Sequence, residues 1–117
     1  PVPLPLRGTN AEVVATPEQV RVMENAAMDA LEKHLAPDQT SVGTKVALTH
    51  MAGTPKGMRV EARARLIERD RRRCVFEVEI HDEVELVARG TNERFIVPRE
   101  RKNEKLIRKI DKVNNQI

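Results

Sequence analysis

The stretch Ala15-Thr16-Pro17-Glu18-Gln19-Val20-Arg21-Val22-Met23-Glu24-Asn25-Ala26-Ala27 decides the fold of this 117-residue chain. Thr16 reads as a helix N-cap with Pro17 at the first helical position, and Gln19 completes a Ser/Thr-x-x-Glu/Gln capping box. Downstream, Val20, Met23, Glu24, Ala27, Met28, Leu31 and Leu35 recur at three-and-four spacing, while Arg21, Asn25, Asp29, Glu32 and Lys33 take the opposite face. His34 falls in the last turn, where a cation meets the negative end of the helix dipole, and Pro37 ends the helix. Glu24 lies on the apolar side, a costly place for a carboxylate unless it is paired or its proton affinity rises.

Beyond this helix the chain reads as extended. Residues 44–51 alternate, with Val46, Leu48 and His50 on one face and Lys45, Ala47 and Thr49 on the other; the lysine marks its own face as outward, so His50 points toward the helix. After a turn at Gly53-Thr54-Pro55-Lys56-Gly57, residues 59–66 place Val60, Ala62, Ala64 and Leu66 inward against Arg59, Glu61, Arg63 and Arg65. A charged reversal over residues 68–73 leads to a third strand in which Cys74, Phe76, Val78 and Ile80 alternate with Val75, Glu77, Glu79 and His81. A fourth strand spans residues 86–97, with a bulge expected near Gly90 that turns Phe95 and Val97 inward. Leu106, Ile107, Ile110 and Val113 then return at helical spacing, giving a narrow amphipathic helix over residues 100–116.

One long helix leading into antiparallel strands with a single wet face is an α+β domain in which the helix covers the sheet. The length fits one domain, expected over residues 11–117 behind an extended, proline-rich lead-in at residues 1–10. With two phenylalanines as its only aromatic residues, the core must be built from aliphatic side chains and methionine.

Composition excludes several classes. A net charge of +3 from 21 basic and 18 acidic residues is a mixed surface rather than a nucleic-acid footprint. The basic run Arg63, Arg65, Arg69, Arg71, Arg72 and Arg73 faces Glu77, Glu79, Glu83 and Glu85, so cross-strand charge pairing accounts for it. Three histidines and one cysteine lack metal-ligand spacing, and there is neither a GxSxG elbow nor a phosphate loop. No apolar run approaches a membrane span and residues 1–6 do not read as a signal peptide, so a cytoplasmic, metal-free protein is expected. Read from the residues alone, Thr16 is explained by capping, His50 by a hydrogen-bonded core position, and Glu24 by either snorkelling or function. The two inward-facing groups, Glu24 and His50, form the best chemical lead.

Ala15-Thr16-Pro17, Met23-Glu24-Asn25-Ala26-Ala27, Ser41-Val42-Gly43-Thr44, Thr49-His50, Thr54-Pro55-Lys56-Gly57, His81-Asp82 and Gly90-Thr91-Asn92-Glu93-Arg94 occur in order. Together they resemble the fluoroacetyl-CoA thioesterase-like branch of the hotdog-fold thioesterases. The resemblance implies a long central helix wrapped by an antiparallel sheet and a homodimer whose sheets join. It also implies hydrolysis of a small acyl-CoA thioester without metal or cofactor, CoA entering only as part of the substrate. Thr16, Glu24 and His50 then match the catalytic threonine, glutamate and histidine, Gly43 the glycine beside the acyl pocket, and Arg94 the arginine of the Gly-Thr-His-Glu-Arg motif. Asn92 stands where that motif has histidine. No aromatic residue lies between Pro1 and Thr16, so the resemblance does not extend to fluoroacetyl specificity. The alternatives are a non-catalytic hotdog module that binds acyl-CoA or a partner protein and, less well supported, a hydratase of the same fold.

Overall fold

The computed structural model describes residues 15–116; the lead-in and the domain start at Ala11 lie outside the described residues. The elements are α1 (Thr16–Glu32), β1 (Gln39–His50), β2 (Glu61–Asp70), β3 (Arg73–His81), β4 (Leu86–Pro98) and α2 (Arg99–Asn114). The four strands form one antiparallel sheet in the order β1-β4-β3-β2, leaving β1 and β2 as its edges.

α1 lies on the inner face. Met23, Ala27 and Leu31 are buried against Cys74, Phe76, Val78 and Ile80 of β3 and Val87, Ala88 and Ile96 of β4. Val22, Ala26 and Ala30 complete the contact toward Ala62 and Ala64 of β2. The small alanines on both sides let the helix sit close to the sheet, and burying a side chain such as Met23 or Leu31 contributes roughly 1.5–3 kcal/mol. The capping box does not form. Helix α1 begins one residue early: Ala15 is the N-cap in extended geometry, and no side chain caps the end. Its carbonyl accepts from the Glu18 and Gln19 N–H groups, while the Gln19 side chain turns under the helix instead of back toward Thr16. At the other end α1 stops at Glu32, so His34 lies beyond the last turn.

The alternation expected in β2 and β3 is present. Ala62 and Ala64 pair with Ile80 and Val78, all inward, whereas Leu66, opposite buried Phe76, is left 47% exposed. The outer face carries the cross-strand pairs Arg65–Glu77 (3.2 Å) and Arg89–Glu79 (3.1 Å). In β4 the structure departs from the expectation. Gly90 pairs without a break to Leu48 on one side and Val78 on the other, so no bulge lies there. Ile96 takes the inward position, and Phe95 and Val97 stay on the outer parity. Glycine is required at 90 because β1 passes so close. A Cβ would run into the carbonyl oxygen of Ala47 and lie 2.7 Å from Met23 Cε. The register shift of β4 falls earlier, at Val87, between the Ala88–Ile80 and Leu86–His81 pairs, and β1 carries another between Gly43 and Lys45, with Thr44 as the extra residue.

α2 leaves the end of β4 with Leu106, Ile107, Ile110 and Val113 exposed along one stripe. Its start is tied down by Arg99, whose Nε donates to Pro37 O at 3.1 Å and whose guanidinium reaches Glu32 at 3.4 Å. No helix among the described residues is long and apolar enough to cross a membrane.

At the far end of the sheet, Asp82 accepts from the Val84 and Glu85 N–H groups at 2.7 and 2.8 Å and from the fully buried Thr54 hydroxyl at 3.2 Å. Burial would raise this carboxyl, but the three donors outweigh it and hold it below its ordinary value of 3.8.

Gly90→Ala is expected to destabilise the fold by about 1–3 kcal/mol or more, because the obstruction is backbone rather than a movable side chain; the urea midpoint measures it. A depressed folded-state pKa contributes stability above the unfolded value that is lost as pH falls through the folded one. Asp82→Asn should therefore be less stable than wild type near neutrality, and the gap should close below about pH 3.8. A gap that is constant from neutrality to acid would contradict this account.

Candidate active site

The inner face of β1 organises the site, and its bulge decides which residues share that face. Ser41 and Gly43 pair with Ile96 and Arg94, whereas Val46, Leu48 and His50 pair with Asn92, Gly90 and Ala88. The extra residue at Thr44 shifts the parity by one. Odd positions before it and even positions after it therefore point the same way, toward α1. The bulge is pinned from both sides: Asn92 Nδ2 donates to Lys45 O at 3.0 Å, and the Thr44 hydroxyl donates to Glu93 Oε1 at 2.7 Å. Arg73 Nε donates to the other Glu93 oxygen at 2.6 Å. The Thr44 hydroxyl, followed by Arg73, holds the Glu93 carboxyl below its usual range.

Beneath α1 sits a buried guanidinium. Arg94, 5% exposed, donates through Nε to Ser41 Oγ at 2.8 Å and through one terminal nitrogen to Asn92 Oδ1 at 3.1 Å. Its other terminal nitrogen reaches Ser41 O at 3.5 Å. Desolvation pulls this group below its ordinary pKa, against the opposing attraction of Glu24 and Glu32. The Glu24 carboxylate is the nearest counter-charge, with Oε2 3.9 Å from the guanidinium that binds Asn92. Glu24 is half-buried rather than sunk in the core, so pairing with Arg94 accounts for a carboxylate on the apolar stripe. Gly43 lies against both: a Cβ there would be 3.0 Å from Glu24 Oε2 and 3.1 Å from the Arg94 nitrogen. Glu24, Gly43 and Arg94 are thus brought together from α1, β1 and β4.

Thr16 and His50 are placed apart from that cluster. Thr16 is exposed at the first turn of α1 and its hydroxyl makes no hydrogen bond to the described residues. The Glu18 and Gln19 N–H groups are both taken by Ala15 O, so they are not free donors at the helix start. His50 ends β1, seven residues and roughly 20 Å of strand beyond Gly43. Its Nε2 lies 2.7 Å from Ala52 O and 3.3 Å from Gln19 Nε2. No hydrogen bond or ion pair joins Glu24 to His50 among the described residues. The inward parity of His50 holds, but α1 only partly roofs this end of β1, and His50 and Val46 are exposed.

Three participants are not visible in the residue pattern alone. Ser41 and Asn92 are ordinary strand residues until the register sets them beside Arg94. Gln19 reads as a capping residue, although it lies one turn before Met23 on the series Gln19, Met23, Ala27 and Leu31, all buried. That four-residue spacing is the signal by which it could be found. Among the described residues no group of three or more His, Cys, Asp or Glu is placed to hold a metal ion.

A helix laid on a four-stranded antiparallel sheet is the layout of the hotdog fold, and solved thioesterase structures share it. The fluoroacetyl-CoA thioesterase structure superposes with a TM-score of 0.80 at 38% identity, covering 84% of this chain and 73% of that one. A thioesterase superfamily member from Thermus thermophilus superposes with a TM-score of 0.81 at 29% identity, covering 90% and 77%. The chain belongs to the fluoroacetyl-CoA-specific thioesterase family, whose sequence model matches residues 5–100. It is 38% identical over 98 residues to the fluoroacetyl-CoA thioesterase of Streptantibioticus cattleyicolor, spanning 84% of this chain and 70% of that protein. It is a thioester hydrolase.

Asn92 bridges the buried guanidinium and the β1 bulge, so Asn92→Leu should cost about 1–3 kcal/mol by leaving a buried donor without its acceptor. Urea denaturation monitored by circular dichroism measures this, and an unchanged midpoint would show that the bridge is dispensable.

Proposed function

We propose that the chain hydrolyses small acyl-CoA thioesters as a homodimer, using Thr16, Glu24 and His50 for chemistry and Gly43 and Arg94 for placing the acyl end, without a metal or cofactor. The observation that carries this reading is the Glu24 carboxylate, 3.9 Å from buried Arg94 and directly over a residue with no side chain. A carboxylate so placed either attacks the thioester carbonyl or removes a proton from the attacking water. Gly43 keeps the space beside it open, and any Cβ there would press on the reacting group.

In this scheme the Arg94 guanidinium, 3.9 Å away, fixes the direction of the Glu24 carboxylate. The Thr16 hydroxyl, uncommitted at the positive end of α1, orients the substrate carbonyl as negative charge develops on its oxygen. His50 gives a proton to the departing thiolate. Water supplies that proton overall, and the products are the free acid and the thiol. The carbonyl carbon and sulfur of a thioester are bonded neighbours, whereas His50 lies toward the other end of β1 from Glu24, so this scheme needs the homodimer to bring the imidazole of one protomer to the carboxylate of the other. The open edge of β1, which carries Val46 at 40% and Met51 beside it at 48% exposure, supports a dimer joined along this strand. A cytoplasmic setting fits a single buried, unpaired cysteine, Cys74.

Glu24→Gln keeps the volume and removes the charge. We expect a folded protein whose thiol release from short acyl-CoAs falls by at least ~100-fold. A folded Gln variant that turns over as fast as wild type would remove Glu24 from the mechanism.

A further inference from the structure

Gln19 is 2% exposed, and its Oε1 is the one buried side-chain polar atom among the described residues without a hydrogen-bond partner. Leaving a buried amide oxygen unpaired costs about 1–3 kcal/mol, a cost that leucine or methionine at the same place on the stripe would remove. Packing therefore does not explain why this side chain is polar.

Its neighbour does. The contact from His50 Nε2 to Ala52 O is 2.7 Å, and a carbonyl oxygen only accepts. The proton must therefore sit on Nε2, which fixes the neutral imidazole as the Nε2–H tautomer with its lone pair on Nδ1. An Nε2–H cannot accept a hydrogen bond from the Gln19 amino group 3.3 Å away. The two ends of a glutamine amide are assigned from such contacts, and turning this one over sets Oε1 against Nε2–H as a second acceptor. Two donors facing each other become one shared hydrogen bond.

We propose that Gln19 is a positioning residue for His50: its amide oxygen shares the Nε2 proton with Ala52 O and holds the ring so that Nδ1 is the nitrogen that exchanges protons with the substrate. This rests on the reading of His50 as the acid–base group. In the reaction, Nδ1 takes up a proton originating in the water consumed, the carbon–sulfur bond breaks, and the thiolate receives that proton from Nδ1. The ring returns to the Nε2–H form in which it began.

The test uses the full chain with Gln19→Leu and Gln19→Glu, read by 15N-resolved histidine spectra and by pH profiles of thiol release. Wild-type His50 should show the Nε2–H tautomer. In the Leu variant Ala52 O still holds the proton on Nε2, but the ring loses its second restraint, so the His50 ring signals should shift, with kcat about 10-fold lower and KM little changed, since only part of the acid–base contribution is lost. In the Glu variant a carboxylate beside the imidazolium should move the His50 titration, and the same limb of the kcat profile, about one unit toward higher pH. His50 ring signals and titration identical to wild type in both variants would overturn the proposal, whatever happens to kcat. A wild-type His50 carrying its proton on Nδ1 would overturn it too. Full activity in His50→Gln would instead overturn the catalytic reading of His50, while the spectra would still decide whether Gln19 positions the ring.

Discussion

A guanidinium buried beneath a helix is the constraint on which the rest of this structure depends. Arg94 cannot be neutralised by losing its proton, so the fold must surround it with acceptors and a counter-charge. Ser41 and Asn92 supply the acceptors from β1 and β4, and Glu24 supplies the charge from α1. Because these partners come from three elements, satisfying Arg94 fixes where α1 sits over the sheet. It also fixes the register of the β1–β4 pair that carries the site.

That register includes the bulge at Thr44, which Asn92 and Glu93 hold from opposite faces of the sheet. Without it, Gly43 and His50 would face opposite ways, since a strand alternates strictly. With it, one strand offers an open space beside Glu24 and an imidazole further along the same face. Asn92, where related motifs have histidine, accepts from Arg94 and donates to Lys45 O at once. Both contacts need the oxygen and the amino group of an amide in a fully buried position. The departure in the motif thus has a local structural use.

Helix α1 is joined to β1 at two places, Glu24 over Gly43 and Gln19 at His50. The helix advances only about 7.5 Å between those residues, while the strand covers roughly 20 Å. The side chains make up the difference. Between them the inner face of β1 is lined by Val46 and Leu48 and incompletely covered, which leaves the Glu24 carboxylate and the His50 ring accessible in an otherwise packed layer.

The hydrophobic pattern marked a helix running from the Thr16 cap to about Leu35, of which residues 16–32 are helical, four antiparallel strands after it, and which way Ala62, Ala64, Phe76, Val78 and His50 face. Those features depend on local periodicity, which the chain carries in itself. Ordered short motifs also singled out Glu24, Gly43 and Arg94, and the fold brings these three together. Tertiary structure decided what periodicity cannot encode. Gly90 signalled a bulge but serves a close passage of the β1 backbone. The bulge that shapes the site, at Thr44, depends on partners some fifty residues away in the sequence. Gln19 had the right spacing for a cap and was drawn inward, because the inner face of β1 presented His50 where the apolar stripe of α1 passes. Local sequence fixes which way a side chain points along its own element, and only the packing of elements against one another fixes what it meets.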